Sequence, residues 1–246
     1  MPPLPRPCVL GLVPAVHGGI DYEELEGMGI SPDTVVDFSV CTNPFGPPPS
    51  VGKALRTVNI KCYPDSRSTR LRRALADFCG VTESNVLVSG GSTDLIRMAV
   101  LAYVTKGDAA VVPQPAYGDY EVACRLSDCL VIGQPRASGN GLRLDVEEII
   151  SVVREKRPKL LFLSNPVNPT GQYFSRTQIE SILDVSGETL VVLDEAYASF
   201  VARRWSSESL IDRPNLLIKV PGTAAGVQAF EDPAVGQASG FGGVFF

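Results

Sequence analysis

The chain holds a single histidine, and none of its six cysteines, at positions 8, 41, 62, 79, 124 and 129, falls in a C-x-x-C pair. That leaves no zinc-ligand set of ordinary spacing. Scattered cysteines in an α/β chain read as reduced core residues of a cytoplasmic protein. Basic residues are outnumbered, 22 Lys and Arg against 27 Asp and Glu, for a net charge of −5. The densest basic stretch, Arg67 to Arg73, lies in a helix-like segment and reads as a solvated face, so no nucleic-acid partner is expected. Long apolar runs are missing as well. The N-terminal one, Cys8 to Val16, is broken by Gly11 and Pro14, is too short to span a bilayer, and makes a poorly formed secretory signal. Neither G-x-G-x-x-G nor a P-loop fingerprint occurs, which argues against an unrelated nucleotide-binding domain.

What is present is a run of strand and helix signals in a chain of 246 residues, 44% of them hydrophobic. Val86–Val88, Ala109–Val112, Cys129–Ile132, Leu160–Leu163, Leu190–Leu193 and Leu216–Ile218 are short and apolar, as strands buried on both faces should be. Helices are expected between them. Thr93–Val104 follows Ser92. Asp145–Lys156 starts on Asp145 with Glu148 three residues on, and Ser175–Val185 starts on Ser175 with Gln178 in the same relation, both resembling capping boxes. Strand-helix alternation of this kind predicts an α/β fold with a mainly parallel, doubly wound sheet. Residues 1–49 are rich in Pro and Gly and read as a loop-like arm. Helices Ser50–Val58 and Ser66–Cys79 follow, the second with Leu71, Leu75 and Phe78 on one face as a packing stripe. Residues 219–246 lose all pattern; thirteen are Gly, Ala or Pro, a low-complexity tail.

Chemistry-bearing residues cluster at strand ends. Ser89-Gly90-Gly91-Ser92-Thr93-Asp94 joins a strand to a helix, and glycines before a helix N-terminus suit one phosphate group. Pro115-Ala116-Tyr117 follows the next strand. Asn165-Pro166-Val167-Asn168-Pro169-Thr170-Gly171 and Asp194-Glu195-Ala196-Tyr197 each end a buried strand. Open α/β sheets bind ligands at the carboxyl ends of their strands. An amide, a carboxylate and a phenol delivered there can hold a polar aromatic cofactor.

These motifs resemble the aspartate-aminotransferase superfamily of fold type I, whose cofactor is pyridoxal 5'-phosphate. The resemblance runs from about His17 to Ile218. It implies that Gly91, Ser92 and Thr93 cradle the cofactor phosphate and that Tyr117 stacks on the pyridine ring. By the same resemblance Asp194 pairs with the ring nitrogen, and Asn168 and Tyr197 bond the ring's phenolic oxygen. Tyr63, in Tyr63-Pro64-Asp65, matches a tyrosine that reaches the partner subunit's phosphate, which implies a homodimer. His17-Gly18-Gly19 and the stretch Asp37 to Pro48, with Asn43, resemble the substrate-binding arm of one branch. That branch contains histidinol-phosphate aminotransferases and the threonine-phosphate decarboxylases of cobalamin synthesis. The His-Gly-Gly opening leans toward the decarboxylases, and Cys41, standing where those usually carry Asn, weakens that lean.

The resemblance then stops. Asn215-Leu216-Leu217-Ile218 is followed by Lys219-Val220-Pro221-Gly222-Thr223-Ala224, and Ala224 falls near the place of the family's Schiff-base lysine. Lys219 comes too early to take that role, so no catalytic residue is assigned. The expected organisation is an arm, 1–49, a partial cofactor-binding domain, 50–218, and a tail, 219–246, unlike the family. The small C-terminal domain is expected to be missing, as in a frameshifted or fragmentary reading of a longer enzyme, and apolar surface to be left exposed. Three readings stay open: an aminotransferase acting on a phosphate-bearing amine, inactive as given; a threonine-phosphate decarboxylase; and a non-catalytic cofactor- or partner-binding remnant.

Overall fold

The computed structural model describes residues 4–41, 45–134, 142–201 and 207–219. Five strands form one sheet: β1 (Ala109–Pro113), β2 (Leu130–Gln134), β3 (Leu160–Ser164), β4 (Leu190–Asp194) and β5 (Leu216–Lys219). Their order is β2-β1-β3-β4-β5 and every pairing is parallel. The expected α/β, mainly parallel sheet is therefore present. Leu160–Leu163 and Leu190–Leu193 lie within strands buried along their whole length, which is why they carry no polar alternation.

Strand residues alternate between two cores, as the two-residue period of a strand requires. Val111, Leu161, Leu163, Val191, Leu193, Leu216 and Ile218 share one cluster with α6 (Val146–Lys156) and α7 (Arg176–Ser186). Ala110, Val112, Leu160, Phe162, Leu190 and Val192 share the other with α4 (Ser92–Tyr103) and α5 (Gly118–Leu126), and Leu217 packs against it. Helices thus cover both faces. The chain steps from β1 outward to β2, then returns past β1 to β3. The carboxyl ends of β1 and β3 flank this reversal, where doubly wound sheets place their ligands.

Several local expectations are met in detail. Ser175 and Gln178 form both halves of a capping box at the start of α7. Asp145 accepts bonds from the Glu147 and Glu148 amides at the start of α6. Leu71 and Leu75 of α3 (Thr69–Cys79) are buried, with Phe78 packed beside them. Others differ. The second early helix begins at Thr69 and not Ser66, because the Asp65 carboxylate binds the Arg67 and Thr69 amides and holds the chain in a turn. The loop-like arm contains a helix, α1 (Tyr22–Met28), started by Asp21 accepting from the Glu23 and Glu24 amides and ended by Gly29. Pro49–Thr57 forms α2.

Val86–Val88 is not a strand; Val88 alone makes a bridge. Val86 packs instead with Leu71, Leu75 and Ala76. A strand needs a ladder of hydrogen bonds to a neighbour, and among the described residues the sheet's ladders end at β5 and do not include this segment. A groove of about 610 Å³ lies between them, lined by Val86, Val88 and Leu217 among others.

Candidate active site

The carboxyl ends of β1, β3, β4 and β5 bring the candidate residues to one edge of the sheet. α4 starts at Ser92 directly after Gly91, whose φ of +146° is open to glycine and strained for other residues. A Cβ there would meet nothing within 4 Å, so the requirement is one of backbone and not of space. Thr93, in the first turn, does not keep its hydroxyl free: it donates to Asp119 Oδ2 at 2.9 Å and lies 3.2 Å from the Tyr117 hydroxyl. His17 Nε2 sits 3.2 Å from the same Asp119 oxygen, and its ring lies 5.3 Å from that of Tyr117. The arm is thereby pinned to the start of α5. Gly18 is needed for this course, since a Cβ would fall 2.0 Å from the Ser39 carbonyl oxygen.

From Tyr117 the contacts continue inward. Tyr120 meets it edge-on at 5.6 Å and stacks on Phe162 at 4.8 Å. Its hydroxyl donates to Asp194 Oδ2 at 2.5 Å. Burial, followed by the charge of Asp194, pushes the Tyr120 phenol well above its ordinary range, so it serves as a donor at neutral pH. The glycine turn at 90–93 and Asp194 thus lie on the same side of the molecule, joined through Thr93, Tyr117 and Tyr120.

Asp194 is the most heavily bonded side chain of the site. Oδ1 accepts from the Ala196 amide at 2.9 Å and from Lys219 Nζ at 2.8 Å. Oδ2 accepts from Tyr120 and from Lys219 Nζ at 2.7 Å. The side chains of Asp194 and Lys219 are only 4% and 5% exposed. Their meeting follows from register: Asp194 and Lys219 are paired neighbours on parallel strands and point to the same face. That face is the α4/α5 side, two residues on from Val192 and Leu217.

Asn168 and Tyr197 also meet, the amide donating to the phenol oxygen at 3.4 Å. Burial and the neighbouring Cys41 thiol raise the Tyr197 phenol above its ordinary range. Cys41, Asn168, Tyr197 and Phe200 line a cavity of about 360 Å³, so the arm reaches the site through its cysteine. Beneath the loop, Asn165 exchanges hydrogen bonds with the Phe174 backbone at 3.1 and 2.8 Å and fixes the strand exit.

Of the residues singled out from sequence, Gly91, Ser92, Thr93, Tyr117, Asn168, Asp194, Tyr197 and His17 lie at this edge. Tyr63 stands apart and is 99% exposed. Asn43 and Ala224 fall outside the described residues. Three participants were missed. Asp119 and Tyr120 follow Tyr117 at the start of a helix, and only the strand-helix joint hinted at them. Lys219 was legible by counting: it follows Leu217 by two, as Asp194 follows Val192, so both side chains share a face.

The family model described as aminotransferase class I and II matches residues 33–223. The chain belongs to that family. The chain is 34% identical over 208 residues to histidinol-phosphate aminotransferase of Methanothermobacter thermautotrophicus, covering 83% of the chain and 55% of that protein. It therefore spans about half the length of such relatives. Histidinol-phosphate aminotransferase of Sinorhizobium meliloti, solved in complex with pyridoxal-5'-phosphate, superposes with a TM-score of 0.76 at 23% identity. That likeness covers 94% of this chain and 64% of the other, and shows the fold. L-threonine-O-3-phosphate decarboxylase of Porphyromonas gingivalis superposes with a TM-score of 0.61 at 25% identity, covering 81% and 58%.

Proposed function

We propose that this aminotransferase-family chain carries the cofactor-binding face of a pyridoxal-phosphate-dependent aminotransferase of the histidinol-phosphate type, acting on a phosphate-bearing amine and an oxo acid. The observation that carries the reading is the convergence of the glycine turn at 90–93, Tyr117, Asn168, Asp194 and Tyr197 on one sheet edge at the reversal of strand order. The likeness at 34% identity to a histidinol-phosphate aminotransferase favours transamination over the decarboxylation suggested by the structural neighbour at 25% identity. Cys41 beside Tyr197, where an Asn is usual in the decarboxylases, weakens the decarboxylase lean of the His17-Gly18-Gly19 opening.

The residues fit the cofactor at three places. The start of α4 offers backbone N–H groups and the Ser92 hydroxyl to a phosphate. The face of Tyr117 can cover a pyridine ring. The Tyr197 hydroxyl, accepting from Asn168, can donate to a phenolic oxygen. Pyridoxal phosphate bound there would supply an electron sink for charge developing at a substrate's α-carbon. At a fourth place, the ring nitrogen, the fit to a protonated ring fails, because Asp194 is already engaged by Lys219.

Lys219 Nζ is bound to both oxygens of Asp194 and is not free to act as a nucleophile or base, so the chain alone is read as inactive. The intact enzyme is read as a cytoplasmic homodimer, with exposed Tyr63 reaching the second copy's phosphate site. Free cysteines among the described residues support a reducing compartment, and no helix among those residues is long and apolar enough to cross a membrane.

The test uses pyridoxamine 5'-phosphate, an aldehyde-free form of the cofactor that cannot react with surface lysines. Calorimetric titration should show saturable binding, at least about tenfold tighter than pyridoxamine, since charge-assisted bonds to a phosphate contribute roughly 1.5–3 kcal/mol each. Equal binding of both compounds, or none, would sink the reading. No amino-group transfer is expected from the same preparation.

A further inference from the structure

A carboxylate offers about four lone-pair positions. In Asp194 all four are used: Oδ1 by the Ala196 amide and Lys219, Oδ2 by the Tyr120 hydroxyl and Lys219. An incoming ring N–H would find no acceptor, and its positive charge would meet an ammonium only 2.7–2.8 Å from the carboxylate oxygens. Displacing that ammonium means breaking a buried ion pair, a costly event when one partner is left without compensation. Lys219 is also held in place by its strand: its carbonyl accepts from the Glu195 amide at 2.7 Å.

We propose that Lys219 is a built-in cation filling the ring-nitrogen place of the site, so that the chain selects unprotonated heteroaromatic rings over protonated ones. An ammonium has three donors and two are directed at Asp194. The third can donate to a ring nitrogen that keeps its lone pair, whereas a protonated nitrogen is repelled. In its ordinary setting a carboxylate at this position favours the protonated ring; with Lys219 beside it the preference is reversed. Lys219 is thus a specificity-determining residue of this site. The inference rests on the cofactor reading above.

The experiment is ¹⁵N NMR of pyridoxamine 5'-phosphate, labelled at the ring nitrogen and bound to the whole chain and to Lys219→Met. In the wild-type chain the bound nitrogen should show the shift of an unprotonated pyridine at neutral pH. In Lys219→Met it should move to the protonated position, with binding tighter by roughly tenfold or more, the yield of one charged hydrogen bond. A protonated nitrogen in the wild-type chain overturns the proposal, as does an unprotonated one in folded Lys219→Met. Should that variant fail to fold, the wild-type spectrum decides alone. After incubation with pyridoxal phosphate and borohydride, a pyridoxyl group on Lys219 would also overturn it, since a lysine that leaves Asp194 for the ligand is no resident cation. If the wild-type chain binds no ligand, the cofactor reading falls and this inference with it; if it binds with the wrong protonation state, only Lys219's role falls.

Discussion

At the scale of single residues, the network around Asp194 has a consequence for stability. The Tyr120 phenol is held well above its ordinary value of 10.0 by burial and by the Asp194 charge. The unfolded chain therefore loses this proton at lower pH than the folded one. The stabilisation is complete below about pH 10 and is lost as pH rises towards the folded value. Urea denaturation between pH 8 and 11 should show stability falling at the alkaline end, and Tyr120→Phe should flatten that fall; an unchanged slope would remove Tyr120 as its source. The placement of Asp194, Asn168 and Tyr197 at one sheet edge was readable because strand ends and loop motifs are local. Asp119, Tyr120 and Lys219 were not assigned, because each works through a contact 25 to 74 residues away in sequence. Only the parity of Lys219 along its strand was available in advance.

At the scale of elements, helix starts were the most legible feature, since a cap is chemistry within four residues. Ser175→Ala should remove one half of the capping box on α7 and lower stability by about 1 kcal/mol, measured as a shift in the urea midpoint. A change below a few tenths would mean that packing of Ile179, Ile182 and Leu183 holds the helix start unaided. Strands were legible where at least one neighbour exists to pair with, as at the edge strands β2 and β5. Val86–Val88 has the composition of a strand, but composition cannot supply the partner that a ladder needs. That segment turns its apolar side to α3 instead. The start of α3 was misread for a related reason: Asp65, a turn-former, captures two amides before the helix can begin.

At the scale of the whole molecule, the sheet core is well covered while the arm is not. Phe38 and Phe45 are 94% exposed, and Val16, Ile60 and Tyr63 stand out similarly. Uncovered apolar surface of this kind is what the sequence leads one to expect, and such patches mark association sites. Sedimentation velocity should show a dimer that weakens on Tyr63→Ala, if the arm and Tyr63 reach a second copy; a monomer at every concentration would exclude that assembly for this chain. The paired ends of β4 and β5 carry one last implication. β5 has only four residues and a single neighbour, so little besides side-chain chemistry keeps it from sliding. A slip of one position would seat Ile218 against a sequestered anion and turn the ammonium into the oily layer beneath α6 and α7. The ion pair thus also serves as an alignment peg, telling the outermost strand where to stop.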